Sequence, residues 1–185
     1  MHHTESLIRC VHIANGVRKN YPNGLVMADK NKEFSYPVAE KLAAVFSKHK
    51  VEYLFIGKSG AILYGFPDTT QDVDLFPKKA NDNGKRIVKA LNELGFSIDN
   101  TLEKAIVAGK DFIHIRGGPF DLDLVFAPDG IESYDKALKR AQIIAGKFPV
   151  ASLKDIINSK KKAGRLRDKE VLTRLEDFYK YLKGK

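Results

Sequence analysis

Val51-Glu52-Tyr53-Leu54-Phe55-Ile56-Gly57-Lys58-Ser59-Gly60-Ala61-Ile62-Leu63-Tyr64-Gly65-Phe66-Pro67-Asp68-Thr69-Thr70-Gln71-Asp72-Val73-Asp74-Leu75-Phe76 is the stretch from which the rest of the chain can be read. Its first part, 52–56, is apolar and rich in aromatic and β-branched residues, the composition of a short buried strand. It runs into Gly57, where a turn is expected. Residues 58–65 can wind as a short helix whose free backbone N–H groups point at whatever lies above the strand end, a position that suits phosphate. The chain then re-enters a strand over 71–76. Side chains alternate faces along a strand, so Asp72 and Asp74 share one face and Val73 and Leu75 the other, with the two acids about 7 Å apart at their α-carbons. Carboxylates held this close resist ionisation unless a cation compensates them. Mg2+ takes one or two carboxylates and completes its octahedron with waters and substrate phosphates, which matches an acid pair facing a glycine-led helix start.

The pattern returns at Phe120-Asp121-Leu122-Asp123-Leu124-Val125-Phe126, after the tight turn of Gly117-Gly118-Pro119. Phe120, Leu122, Leu124 and Phe126 form one face, and Asp121 and Asp123 share the opposite one. Two neighbouring strands of this kind can assemble carboxylates around two metal ions, as in-line phosphoryl transfer requires. Further strands are expected at 96–98 and 112–116. In the second, Ile113 and Ile115 face one way and Phe112, His114 and Arg116 the other; Arg116 is a candidate phosphate contact, and His114 is read as a surface or satisfied sheet histidine.

Helices are expected over 36–49, with Ser35 as N-cap, Pro37 in the first turn and Val38, Leu42 and Val45 or Phe46 on one face, and over 83–94, stopped by Gly95. Ser152 with Asp155 three residues later reads as a capping arrangement opening another helix. Leu172, Leu175, Phe178, Tyr179 and Leu182 mark a last amphipathic helix. Residues 7–13 read as a strand or short helix ended by the turn at Tyr21-Pro22-Asn23-Gly24, and no chemistry is assigned there.

The 185 residues are 43% hydrophobic without a low-complexity tract, which suits one domain with a small appendage. No apolar run approaches the roughly 18 residues that span a bilayer. Residues 1–6 lack a basic region followed by an apolar stretch, and the single Cys10 cannot form an internal disulfide, so the expectation is a cytoplasmic protein with no membrane association. No paired His and Cys spacing points to zinc. The net charge of +9, from 32 Lys and Arg against 23 Asp and Glu, favours a polyanionic partner. Lys154, Lys160, Lys161, Lys162, Arg165, Arg167 and Lys169 concentrate it near the end, while the acids sit nearer the middle.

The run 55–67 followed by Thr70-Gln71-Asp72-Val73-Asp74-Leu75 resembles the signature of nucleotidyltransferases of the DNA polymerase β superfamily: two small residues, a short helix, and a pair of acids on the next strand. Within that superfamily it is most similar to the minimal nucleotidyltransferases that include AbiEii-type toxins. Lys58 stands where the commoner pattern has a second small residue, leaving Ser59 as its small hydroxyl. A second element of the resemblance is Lys160-Lys161-Lys162-Ala163-Gly164-Arg165-Leu166-Arg167-Asp168, which is similar to the Lys-x-x-x-Gly-Arg-x-x-Asp segment that follows the catalytic sheet in AbiEii-like proteins.

The resemblance covers about residues 37 to 180 and implies an α/β, polymerase β-like nucleotidyltransferase fold: a mixed, twisted sheet flanked by helices mainly on one side, the acidic cleft on the other, and C-terminal helices. The expected organisation is an N-terminal extension 1–34, a nucleotidyltransferase core 35–150, and a basic helical segment 151–185 packed on the core. The implied activity is transfer of a nucleoside monophosphate from an NTP to an acceptor hydroxyl with Mg2+ or Mn2+. Asp72, Asp74 and Asp123 would be catalytic and metal-binding, with Asp121 as fallback for Asp123. Gly57, Lys58, Ser59, Lys160 and Arg165 would surround the nucleotide, and Asp168 would tie the next helix to its neighbour. RNA, including a tRNA end, is the expected acceptor, and a cognate antitoxin the expected partner. The other readings are a non-catalytic RNA- or partner-binding protein on the same fold and a transferase acting on a protein or small-molecule hydroxyl.

Overall fold

Strands that alternate acid and hydrophobe need one face buried and one open, and the structure, a computed structural model describing residues 33–164 and 168–184, places both such strands inside a six-stranded sheet. In chain order the elements are α1 (Tyr36–Lys48), β1 (Tyr53–Phe55), α2 (Gly57–Leu63), β2 (Asp72–Pro77), α3 (Asn81–Leu94), α4 (Asn100–Ala108), β3 (Phe112–Ile115), β4 (Asp121–Val125), α5 (Tyr134–Arg140), β5 (Gln142–Ile144), β6 (Phe148–Val150), α6 (Leu153–Ala163) and α7 (Asp168–Lys183). The expectations for 7–13, for the turn at 21–24, for Cys10 and for Arg165 lie outside the described residues, as does the side chain of Asp168.

The strand order is β3-β4-β2-β1-β6-β5. β2 runs antiparallel to β1 and parallel to β4, β3 closes one edge antiparallel to β4, and the parallel β1–β6 pairing brings in the antiparallel β5 at the other edge. The sheet is therefore mixed. Between the parallel β2 and β4 the chain makes the crossover that such a pair requires, through α3, α4 and β3.

Val73, Leu75, Leu122, Leu124, Ile113 and Ile115 are all buried on one face. α1 and α3 show the apolar stripes expected of them. Ala39, Leu42, Ala43 and Phe46 are buried in α1, where Phe46 meets Tyr53 of β1 edge to face at 4.9 Å; Ile87, Val88, Leu91 and Leu94 are buried in α3. Each fully buried side chain of this size contributes about 1.5–3 kcal/mol. Gly95 at φ 94 ends α3 in the left-handed conformation that favours glycine.

Three expectations are corrected. Residues 96–98 form no strand: Asp99 accepts a bond from the Leu102 N–H at 2.7 Å and starts α4 instead. Ser35 sits at the N-cap of α1 without a side-chain capping bond, so Pro37 in the first turn is the remaining local start signal. Helices also cover part of the acid-bearing face: Phe76, on the same side of β2 as Asp74, meets Tyr134 of α5 edge to face at 5.5 Å. The acids are thus left open only toward one end of the strands.

α6 and α7 lie over that end. Ile156 and Ile157 of α6 and Leu175 of α7 are buried, and Phe178 packs edge to face on Phe66 at 5.5 Å. Ser152 caps α6 by accepting from the Asp155 N–H at 3.1 Å. The Asp155 carboxylate accepts from the Ser152 hydroxyl at 2.7 Å and from Arg140 Nε and a terminal Arg140 nitrogen at 2.8–3.2 Å, a nearly buried ion pair that fastens α5 to α6. Among the described residues, no helix is long and apolar enough to cross a membrane.

Candidate active site

Ile56 leaves β1 extended, and Gly57 turns the chain with φ +59, a conformation that costs a side-chain-bearing residue about 1–2 kcal/mol. A second constraint acts at Gly57. A Cβ built there would lie 2.3 Å from Asp74 Oδ2 and 2.6 Å from its Cγ, so the Asp74 carboxylate occupies the space that any other residue would fill. The Lys58 backbone N–H donates to that carboxylate, which therefore sits at the positive end of α2. Ser59 is fully buried; its hydroxyl donates to the Ile56 carbonyl at 3.2 Å and accepts from the Asp74 N–H at 3.0 Å. The Ser59 hydroxyl therefore ties α2 to β2 beneath the site and does not face a ligand. It was expected on the nucleotide; its hydroxyl here is engaged with the backbone of Ile56 and Asp74.

β2 and β4 lie side by side in register, Asp72 opposite Asp121 and Asp74 opposite Asp123. With neighbouring strands about 4.8 Å apart, four carboxylates project from one face. They are not equivalent. Asp72, Asp74 and Asp123 line a cleft of about 490 Å3 together with Gly57, Lys58 and Lys160, whereas Asp121 is not part of its lining. The cleft also gathers Thr70, Ser159, Asp111 and Asp129, none of which sequence reasoning singled out.

Burial raises the Asp74 pKa, and the charges of Asp123 and Asp72 raise it further, against Lys160 and the Lys58 N–H; the carboxyl is pushed up to about 7. Asp123 is also raised by burial, with His114 as the main opposing influence. Opposite Asp123 on β3, His114 contacts it through Nδ1, and Arg116 Nε contacts His114 Nε2. His114, expected to be a surface or satisfied sheet histidine, touches Asp123; Arg116 contacts His114, and its charge also lowers the Asp123 pKa. The alternation had put His114 and Arg116 together on the face away from Ile113 and Ile115, but which face carried the acids was not readable, nor was the partner strand.

On the basic side, Lys58 Nζ lies 3.7 Å from Asp68, whose carboxylate also accepts from Arg174 of α7 at 3.1 Å. Lys160, at the cleft end of α6, acts on Asp74 electrostatically.

Among the described residues, no three His, Cys, Asp or Glu side chains converge into a ready-made metal cage. The donor set nevertheless fits a hard cation that keeps waters and substrate oxygens: carboxylates from adjoining strands, with Asp74 held against ionisation by burial and then by its like-charged neighbours. A divalent ion bound beside Asp74 would favour its ionised form.

The chain resembles the crystal structure, at 1.87 Å resolution, of a candidate nucleotidyltransferase from Thermotoga maritima, with a TM-score of 0.50 over 80% of this chain and 92% of that one. The two are 17% identical, so the likeness is one of fold. No protein-family model matches the chain, and no curated protein sequence is similar to it.

Proposed function

We propose that this protein is a nucleotidyltransferase that moves a nucleoside monophosphate from an NTP to an acceptor hydroxyl. The observation that carries the reading is the placement of Asp72, Asp74 and Asp123, on adjoining parallel strands, across one cleft from Lys58 and Lys160. The fold shared with a candidate nucleotidyltransferase supports it.

In this reading Asp72, Asp74 and Asp123 would hold the metal ion, and Lys58 and Lys160 neutralise the phosphates. Mg2+ or Mn2+ bound there would supply charge stabilisation at the phosphoryl oxygens. Asp123 orients the acceptor hydroxyl and takes its proton, a role that a carboxylate with its pKa raised by burial is better suited to than a free one. The acceptor oxygen forms a bond to the α-phosphorus as the bond from that phosphorus to the β-phosphate bridging oxygen breaks, and pyrophosphate leaves in line. Most of the rate enhancement is then positioning and electrostatics.

The net charge of +9 supports a polyanionic acceptor, and RNA, including a tRNA end, is the acceptor we infer. An AbiEii-like toxin with a cognate antitoxin in the cytoplasm is the biological setting that the sequence resemblance supports. The test is incubation with each labelled NTP, Mg2+ and total cellular RNA, beside an Asp72→Ala, Asp74→Ala double variant. Label in RNA with the intact protein alone is the expected result. Label in a protein or small molecule would move the acceptor to that class, and no label or pyrophosphate with any NTP would favour a non-catalytic binding protein.

A further inference from the structure

The wall of the cleft beyond Asp123 has a chemistry that nucleotidyl transfer alone does not require. Across the sheet the order is β3, β4, β2, β1, so a ligand lying over the strands meets Phe112 and His114 first, then Asp123 and Val125, then Asp72 and Asp74, then Gly57 and Lys58. The end beside Gly57 is basic. The end at β3 carries an apolar strip: Phe112 stands opposite Val125 in register, and both line the cleft with Ala127 and Pro128, flanked by Asp111, which pairs with Lys79, and by Asp129. Phe112 is 51% exposed, whereas Ile113 and Ile115 on the other face of the same strand are buried. Its far side borders a separate hollow of about 300 Å3, so the ring forms a ledge between two depressions. A large aromatic left this open beside a cluster of carboxylates contributes nothing to the core.

We infer that Phe112 is a stacking platform for the terminal nucleobase of the acceptor, so that the acceptor is a nucleic-acid strand whose end is unpaired. The inference rests on the nucleotidyltransferase reading of the cleft. Phosphates belong at the basic end, where Lys58 and Lys160 lie, which leaves the side of Asp123 away from them for the molecule that presents the hydroxyl. Asp123 and Phe112 are diagonal neighbours on adjacent strands, a separation of roughly 7–8 Å between α-carbons. A nucleoside spans such a gap with its sugar at the acid and its base on the ring. A base inside a duplex has both faces covered and cannot use the ledge, whereas an unpaired end can, whatever its identity, because every base has a π-face.

The chain contains no tryptophan, so Phe112→Trp creates a single indole emitter at the ledge. The probe is a short oligoadenylate, compared with the same strand lacking its terminal base and with a non-hydrolysable ATP analogue alone. Quenching of the indole by the intact strand, and much less by the strand without its last base, is expected. In the transfer assay with that strand as acceptor, Phe112→Ala should raise the acceptor KM about 5- to 150-fold, the range that stacking on one aromatic side chain is worth. Phe112→Tyr should restore it, and the KM for the NTP should stay near wild type.

Equal quenching by both strands, or an acceptor KM indifferent to Phe112→Ala, overturns the inference. Quenching by the nucleotide analogue alone overturns it as well, by assigning the ledge to the donor base. If no variant transfers nucleotide yet quenching still depends on the terminal base, the ledge stands and the transferase reading fails. If transfer proceeds while the indole is silent, the reverse holds.

Discussion

Gly57 carries two separate demands, and replacing it tells them apart. Gly57→Ala places a Cβ 2.3 Å from Asp74 Oδ2, 2.6 Å from Cγ and 2.9 Å from Cβ, where ordinary van der Waals contact begins at 3.4 Å. Something must move by more than 1 Å to restore that contact. The yielding group is the Asp74 side chain, because the backbone of residue 57 is held between β1 and α2. Misplacement of a reacting or metal-binding group by about 1 Å costs on the order of 100-fold in rate. The backbone demand is smaller: an alanine at φ +59 costs about 1–2 kcal/mol, or about 2–8 °C in Tm for a chain of this length. Gly65 is the internal control, with φ +93 at the other end of the same helix and nothing within 4 Å of a built Cβ. Both Gly→Ala variants should therefore lose similar thermal stability. Only the change at Gly57 should also lose activity, measured as pyrophosphate release at a temperature well below both transitions. If Gly57→Ala keeps more than about a tenth of wild-type activity, the close approach to Asp74 is not what the glycine serves.

The raised Asp74 pKa makes metal-free stability depend on pH in a direction opposite to that of most carboxylates. Between the unfolded value of about 3.9 and about 7 the fold holds a proton that the unfolded chain has lost, so stability falls as pH rises through that window, by on the order of 1–3 kcal/mol given partial exposure. Urea unfolding from pH 4 to 8 should show that decline, and both Mg2+ and Asp74→Asn should flatten it; identical slopes for wild type and Asp74→Asn would refute the assignment. His114→Ala removes the main influence lowering the Asp123 pKa, so the acidic limb of the pH–rate profile should move to higher pH and kcat on that limb should fall. An unmoved limb would make His114 a spectator. Arg140→Met strands the nearly buried Asp155 and should cost about 2–3 kcal/mol in denaturant unfolding, less than an enclosed pair because Arg140 keeps 39% of its side chain exposed, while activity survives below the lowered Tm.

The parts of the fold legible in sequence are those with strong periodicity. The acid–hydrophobe alternation at 71–76 and 120–126 gave both strands and the face of every carboxylate, because a period of two leaves no freedom once one face is buried. α1 and α3 followed from apolar spacing alone. α4 did not: it has one fully buried residue, Ile106, and follows a run that reads as a strand, so its only local signal was Asp99 as cap. The β5–β6 hairpin was also missed. Its strands have three residues each, and its turn puts Ala145 at φ 50 before Gly146 at φ 71, where such turns usually carry Asn-Gly or Asp-Gly. In the cleft, Asp72, Asp74 and Asp123 were singled out from strand alternation and Lys160 from the resemblance, while Asp111 and Asp129 were not. The inward turn of the Ser59 hydroxyl and the capture of the Lys58 N–H by Asp74 were not, since both depend on how closely β2 approaches α2. His114 was separated from Ile113 and Ile115 but not placed beside Asp123, because pairing between strands is not written in either strand alone.

The matched phase of β2 and β4 also bears on how the chain avoids pairing wrongly. A slip of either strand by one residue turns its two carboxylates into the packed face and exposes its leucines or valine. Like charges then stand in the interior without water, Lys58 or Lys160 near them, at a cost of several kcal/mol per ion. An all-apolar strand imposes no such penalty, and its neighbouring registers compete. The carboxylates therefore act as a parity check on assembly before any substrate arrives, and a chain with all four replaced by small apolar residues should lose the uniqueness of its strand pairing along with its chemistry.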